Sequence, residues 1–223
     1  MTEPAQALIL DFGGVISRTL FETHRATEAA LGLTVGSLTW QGPFAPESDP
    51  LWQSMLADQI TEREYWHARA AEVGQLIGKD WSNMADFVQA ARGDAPSEII
   101  RPEALAAIST VKNAGRPLAI LSNELDLFYG TSFRQKLPFL TDFDVIVDAT
   151  YTGVLKPAPE AYGNCLEQLG LAAGQCIFVD DQARNIDGAD AVGLQTVLFD
   201  VAAPRQSFGR ALSAMGLKYP APS

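Results

Sequence analysis

Two hydrophobic periods divide the chain. Ala7–Leu10 is a run of four apolar residues that passes directly into Asp11-Phe-Gly-Gly. An unbroken apolar run stopped by glycines predicts a short strand buried on both faces, as a parallel sheet requires. From Thr19 to Leu31 the period changes: Leu20, Ala26, Ala29, Ala30 and Leu31 fall at helical spacing, and Gly32 ends the element. Helical patterns follow at about 48–59, 62–73 and 81–92, the middle one opened by the capping box Thr61-Glu-Arg-Glu64. Residues 17 to about 93 carry no strand pattern.

From Arg101 strands and helices alternate. The spacing predicts a helix at 102–114 closing at Gly115, a strand Pro117–Leu121 running into Ser122-Asn-Glu124, and a helix at 125–136. It then predicts a strand Val145–Val147, a helix at 159–169 ended by Gly170, and a strand Cys176–Val179 stopping at Asp180-Asp181. A helix at 184–192, a strand Thr196–Phe199 and a closing helix at 204–216 complete the series, and the Pro-rich tail after Tyr219 is expected to fray. Five strands alternating with helices predict an α/β fold with a doubly wound parallel sheet. The expected division is 1–16 and 94–223 as the α/β core and 17–93 as a helical domain inserted after the first strand, where a cap over an active site would stand. Trp40, Phe44, Trp52 and Trp66 of the insert read first as the core of a small bundle, with pocket lining as their other role.

Composition narrows the function classes. The 223 residues are 47% hydrophobic with a formal charge of −11 and no lysine or arginine cluster. That excludes disorder and argues against nucleic acid and anionic membrane partners, since both need a basic face. No stretch of about 18 uninterrupted apolar residues is present, and Met-Thr-Glu-Pro lacks the basic start and apolar run of a signal peptide, so a cytoplasmic location is expected. Cys165 and Cys176 are too few for a disulfide framework or a zinc site and read as reduced core residues.

The chemistry lies at the strand ends: Asp11, Ser122-Asn123, Lys156 and Asp180-Asp181. Each has a plain structural reading, as a turn starter, a helix cap, a solvated loop lysine or a turn with an N-cap. Together they project from one edge of one sheet, the edge where open α/β sheets bind ligands. Two carboxylates about 4 Å apart repel by roughly 4 kcal/mol at an effective dielectric near 20, and one lysine does not balance three. A hard divalent cation would, and Mg²⁺ takes oxygen ligands while keeping places for water and phosphate oxygens. With the helix start after Ser122 and the Lys156 charge offered to an anion, an Asp beside such a metal suits phosphoryl transfer through an aspartyl-phosphate.

In this order, Asp11-Phe-Gly-Gly-Val15, Ser122-Asn123, Lys156-Pro-Ala-Pro159 and Asp180-Asp-Gln-Ala-Arg-Asn185 resemble the four motifs of the haloacid dehalogenase-like (HAD) hydrolase superfamily. The match covers residues 7–15 and about 100–200, and the helical insert stands where that family carries its helical cap. The resemblance implies a Rossmann-like core, a small phosphorylated or halogenated substrate and Mg²⁺ as cofactor. It implies Asp11 as nucleophile and metal ligand, the Gly13 carbonyl and Asp181 as further metal ligands, and Asp180 and Asn185 as residues orienting that shell. Ser122 and Asn123 would hold the transferring group, and Lys156 would stabilise nucleophile and phosphoryl charge.

One position departs from the pattern. Most phosphatases of this superfamily read Asp-x-Asp in the first motif, the second Asp being general acid and base, and this chain has Gly13 there. Sugar-phosphate phosphatases with Asp-x-Gly-Asn, which resemble this chain, also lack it. A left-handed backbone at Gly13 would be one obstacle to restoring that Asp. The expected function is a Mg²⁺-dependent phosphatase of a small metabolite. The alternatives are a 2-haloacid dehalogenase-like hydrolase, whose halide leaves unprotonated, and a catalytically weak metal-binding regulatory member. The dehalogenases carry Ser-Ser-Asn in the fourth motif and Tyr at the place of Gly13, so Asp180-Asp181 favours phosphate.

Overall fold

The computed structural model describes residues 3–81, 83–92, 96–123, 125–130 and 134–221. Two compact units emerge: Met1–Arg18 with Ile100–Asp126 and Thr131–Ser223, and Thr19–Ile99 with Leu127–Gly130. The first division thus falls at Arg18/Thr19, and the second at Ile99/Ile100; the boundary expected at 93/94 lies outside the described residues.

The first unit is built on five parallel strands, β1 (Ala7–Leu10), β2 (Leu118–Ser122), β3 (Val145–Asp148), β4 (Cys176–Asp180) and β5 (Gln195–Leu198), in the order β3-β2-β1-β4-β5. This is the doubly wound α/β fold that the alternation predicts. In register, Leu10 lies beside Ile120 on one side and Val179 on the other, so the carboxyl ends of the three central strands line up. Side chains alternate across the sheet. Ala7, Ile9, Ala119, Leu121, Cys176 and Phe178 share one buried cluster with Tyr162 and Cys165 of α8 (Pro159–Leu169) and Ile186 and Ala189 of α9 (Ala183–Ala191). The alternate positions Leu8, Leu10, Leu118, Ile120, Ile177 and Val179 are buried as well, while α5 (Pro102–Asn113) packs on α10 (Pro204–Ala214). Burial on both faces explains why these strands read as continuous apolar runs. Cys165 and Cys176 are free and buried, and burial pushes their thiols up to about 12 and about 11.

The second unit holds α1 (His24–Leu31), α2 (Pro50–Leu56), α3 (Glu62–Ile77) and α4 (Met84–Arg92). The Thr61/Glu64 capping box forms in both directions, Glu64 N–H donating to Thr61 Oγ1 and Thr61 N–H to Glu64 Oε2. Trp40 is buried, and Trp52 and Trp66 pack against the same cluster as Phe21 and Tyr65; Phe44 is exposed. Beneath the rings, Arg69 pairs with Asp49, which also accepts the Tyr65 hydroxyl at 2.9 Å.

Several boundaries differ from the periodicity. The helix expected from Thr19 begins as a short turn at Phe21–Thr23 before α1, and the helix expected at 48–59 shrinks to α2, started by the Asp49 side chain accepting from Trp52 N–H. The helix expected at 125–136 is described as α6 (Leu125–Tyr129), with 131–133 outside the described residues. A further turn, α7 (Ala149–Thr152), follows β3. The tail is anchored at Tyr219: its hydroxyl donates to Glu103 O at 3.1 Å, and Arg205 covers its ring.

Candidate active site

Every candidate residue belongs to the first unit. β1 ends at Leu10, and Asp11 continues its line, its N–H donating to Val179 O at 2.9 Å. The chain then turns through Phe12–Ile16, with Gly13 at φ −70°, ψ 127° and Gly14 at φ 77°. The left-handed residue is therefore Gly14, and Gly13 has an ordinary extended backbone. A Cβ on Gly14 would stand 2.2 Å from Asp181 Oδ2, whereas one on Gly13 would meet nothing within 4 Å. Glycine at 14 is what allows the first turn to approach the fourth-motif carboxylate.

Lys156 is the electrostatic centre. Its buried Nζ donates to Asp11 Oδ1 at 2.7 Å and to Asp180 Oδ2 at 2.6 Å. Burial works against the ammonium, but Asp11 and Asp180 together outweigh it and hold its pKa above the usual lysine value. Burial pushes the Asp11 carboxyl up to about 7, against the pull of Lys156 and with the help of the Asp180 charge. Asp180 is fully buried and also accepts from Gln182 N–H at 2.8 Å and from Asn185 Nδ2 at 3.0 Å. Asn185 is itself fixed by Tyr162, whose hydroxyl donates to Asn185 O at 2.6 Å. Carboxylate oxygens of Asp11, Asp180 and Asp181 lie within 4.8 Å of one another. Three carboxylates against one ammonium, all offering hard oxygen donors, fit a divalent cation.

Ser122 closes β2 and is buried beside Asp148 in the register. Asn123 is committed locally: its Nδ2 donates to Lys156 O at 3.1 Å and its Oδ1 accepts Lys156 N–H at 2.7 Å. The helix start after Ser122 is also partly engaged, since Asp126 N–H donates to Asp148 Oδ2 at 2.8 Å. Asn123 thus spends most of its amide on the backbone of Lys156, and the N–H of Asp126 is taken before any anion arrives.

Sequence reading did not single out Arg101, Asp148, Arg134 or Tyr162. Arg101 is buried, and its Nε and Nη2 donate to Gly14 O at 3.1 and 3.0 Å, which pins the turn after Asp11. No local pattern marks these residues; only their partners do.

A family model for haloacid dehalogenase-like hydrolase matches residues 5–193. The chain belongs to the haloacid dehalogenase-like hydrolases. Among relatives of this hydrolase, acyl-CoA dehydrogenase family member 10 of Mus musculus is 35% identical over 199 residues, which are 87% of this chain and 18% of that protein. Phosphatase MT3486 of Mycobacterium tuberculosis is 29% identical over 150 residues, 67% of this chain and 65% of its own. The chain therefore spans about a fifth of the first and about two thirds of the second. The L-2-haloacid dehalogenase of Xanthobacter autotrophicus shares the hydrolase's fold with a TM-score of 0.55 at 20% identity, over 87% of this chain and 77% of that one.

Proposed function

We propose that this hydrolase is a Mg²⁺-dependent phosphatase acting on a small phosphorylated metabolite through an aspartyl-phosphate on Asp11. The observation that carries the reading is the convergence of Asp11, Asp180 and Asp181 within 4.8 Å of one another, with the Lys156 ammonium paired to Asp11 and Asp180. The phosphatase named among the relatives adds to it. Asp11, Asp181 and the Gly13 carbonyl would hold Mg²⁺, which when bound supplies neutralising charge to the carboxylates and to the phosphoryl oxygens.

A carboxylate oxygen of Asp11 attacks phosphorus, and the bond to the leaving oxygen breaks; water then cleaves the acyl-phosphate and returns Asp11. Lys156 keeps one Asp11 oxygen fixed and stays protonated, so it acts as a charge and not as an acid. Ser122 holds the transferring group, and Asp180 and Asn185 orient the metal shell. Asn123 serves by fixing Lys156. The helical unit acts as the substrate-selecting cap, and the cytoplasm is its expected compartment. No described helix is long and apolar enough to cross a membrane.

The test is phosphate release from p-nitrophenyl phosphate and a sugar-phosphate panel beside chloride release from 2-chloropropionate, each with and without Mg²⁺. Phosphate release that needs Mg²⁺, and that Asp11→Asn reduces below a few per cent, is the expected result. Chloride release without metal would replace this reading by the dehalogenase one.

A further inference from the structure

A second ionic cluster stands at the same sheet edge, at the ends of β2 and β3. Asp148 and Asp126 are both buried, and Arg134 bridges them: its Nε donates to Asp126 Oδ1 at 2.7 Å and its Nη2 to Asp148 Oδ2 at 3.0 Å. Asp148 Oδ2 also accepts Asp126 N–H at 2.8 Å, and its Oδ1 accepts Thr150 N–H at 3.0 Å. The Tyr151 hydroxyl donates to Asp126 Oδ2 at 2.6 Å. One guanidinium thus ties α6, which follows Ser122, to the end of β3, from which the chain runs on to Lys156.

Stability alone does not account for two buried carboxylates sharing one guanidinium. Taking such groups out of water is costly, and well-packed apolar residues are often as stable. What the arrangement does supply is geometry. The segments that follow β2 and β3 are joined here and again where Asn123 grips the Lys156 backbone at 2.7 and 3.1 Å, so a two-point brace sets where the Lys156 Nζ and the Ser122 side chain lie.

We propose that Arg134 and Asp148 are positioning residues that brace the Ser122–Asn123 and Lys156 loops in register for reaction. The inference rests on the reading above, that Ser122 and Lys156 act on the substrate. A misplacement of about 1 Å in such groups can lower turnover by about 10²-fold.

The test is Arg134→Ala in the full chain with Mg²⁺ and p-nitrophenyl phosphate. The expected result is a fall in kcat of about 10- to 100-fold with KM little changed. Added guanidinium at tens of millimolar should restore a large part of it, since the Arg134 side chain is 30% exposed and its place is reachable. Arg134→Lys, which keeps the charge but not the fork, should not restore it. An Arg134→Ala protein with wild-type kcat, or one whose deficit guanidinium does not relieve, overturns the inference. If the wild type releases no phosphate, the phosphatase reading fails and amide exchange decides the brace on its own. Faster exchange of the Lys156 amide in Arg134→Ala supports it, and an unchanged rate refutes it.

Discussion

Gly14 and Asp181 approach so closely that a single methyl group between them has no room: a Cβ on Gly14 would lie 2.2 Å from Asp181 Oδ2 and 2.8 Å from its Cγ. The glycine also sits at φ 77°, outside the range other residues adopt readily. Gly14→Ala should therefore cost about 1–3 kcal/mol of backbone strain and displace the Asp181 carboxylate. Thermal melting should fall by roughly 2–12 °C, and phosphate release should fall with it. A variant with wild-type melting and activity would show that the turn can relax.

Gly13 is the opposite case. Its φ of −70° and ψ of 127° suit any residue, and a Cβ there meets open space. Gly13→Asp should fold, and as a supplied general acid it should raise alkyl phosphate turnover by up to about 10²-fold while changing aryl phosphates little, because a phenolate leaves unprotonated. A leaving-group dependence unchanged in the folded variant would mean that protonation comes from another group.

Metal should stabilise the folded chain. Three carboxylates converge here and one ammonium, paired with Asp11 and Asp180, faces them, so a cation that binds only the native site adds stability by mass action, about 2.7 kcal/mol at a concentration 100 times Kd. Millimolar Mg²⁺ should raise the melting temperature, EDTA should reverse the rise, and Asp181→Ala should abolish it. Melting curves of the wild type that ignore Mg²⁺ would count against the metal.

The helical unit supplies a pH prediction. Glu28 accepts N–H from Leu38 at 3.0 Å and from Gly36 at 2.9 Å. The hydrogen bond from Leu38 first, then that from Gly36, holds its carboxyl below its ordinary 4.5 against the effect of burial. A folded-state pKa below the unfolded one means a contribution present in full above the ordinary value and lost as pH falls through the folded one. The melting temperature of the wild type should exceed that of Glu28→Gln at pH 7, and the gap should close on acidification below about 4.5. A gap constant from pH 7 to 3 would place the effect in packing.

Much of this site was legible in the chain because its residues mark strand ends. Asp11, Ser122, Lys156 and Asp180-Asp181 each follow an apolar run or lie in a loop between elements. A short period-free apolar run stopped by turn residues marks a buried parallel strand from local sequence. The order of strands and helices was determined in the same way, as was the start of α3, whose capping box spans only three residues.

What the tertiary structure decided is which groups meet. Lys156 reaches Asp11 across 145 positions and Arg101 reaches Gly14 across 87, and no local period encodes such a pairing. The same holds for the assignment of the left-handed turn to Gly14 and not Gly13, for the grip of Asn123 on the Lys156 backbone, and for Arg134 between Asp126 and Asp148. Each depends on strand register and on the close packing of loops at one sheet edge. Hydrogen bonds are short-ranged and directional, so such contacts exist only once the whole sheet has brought their partners together.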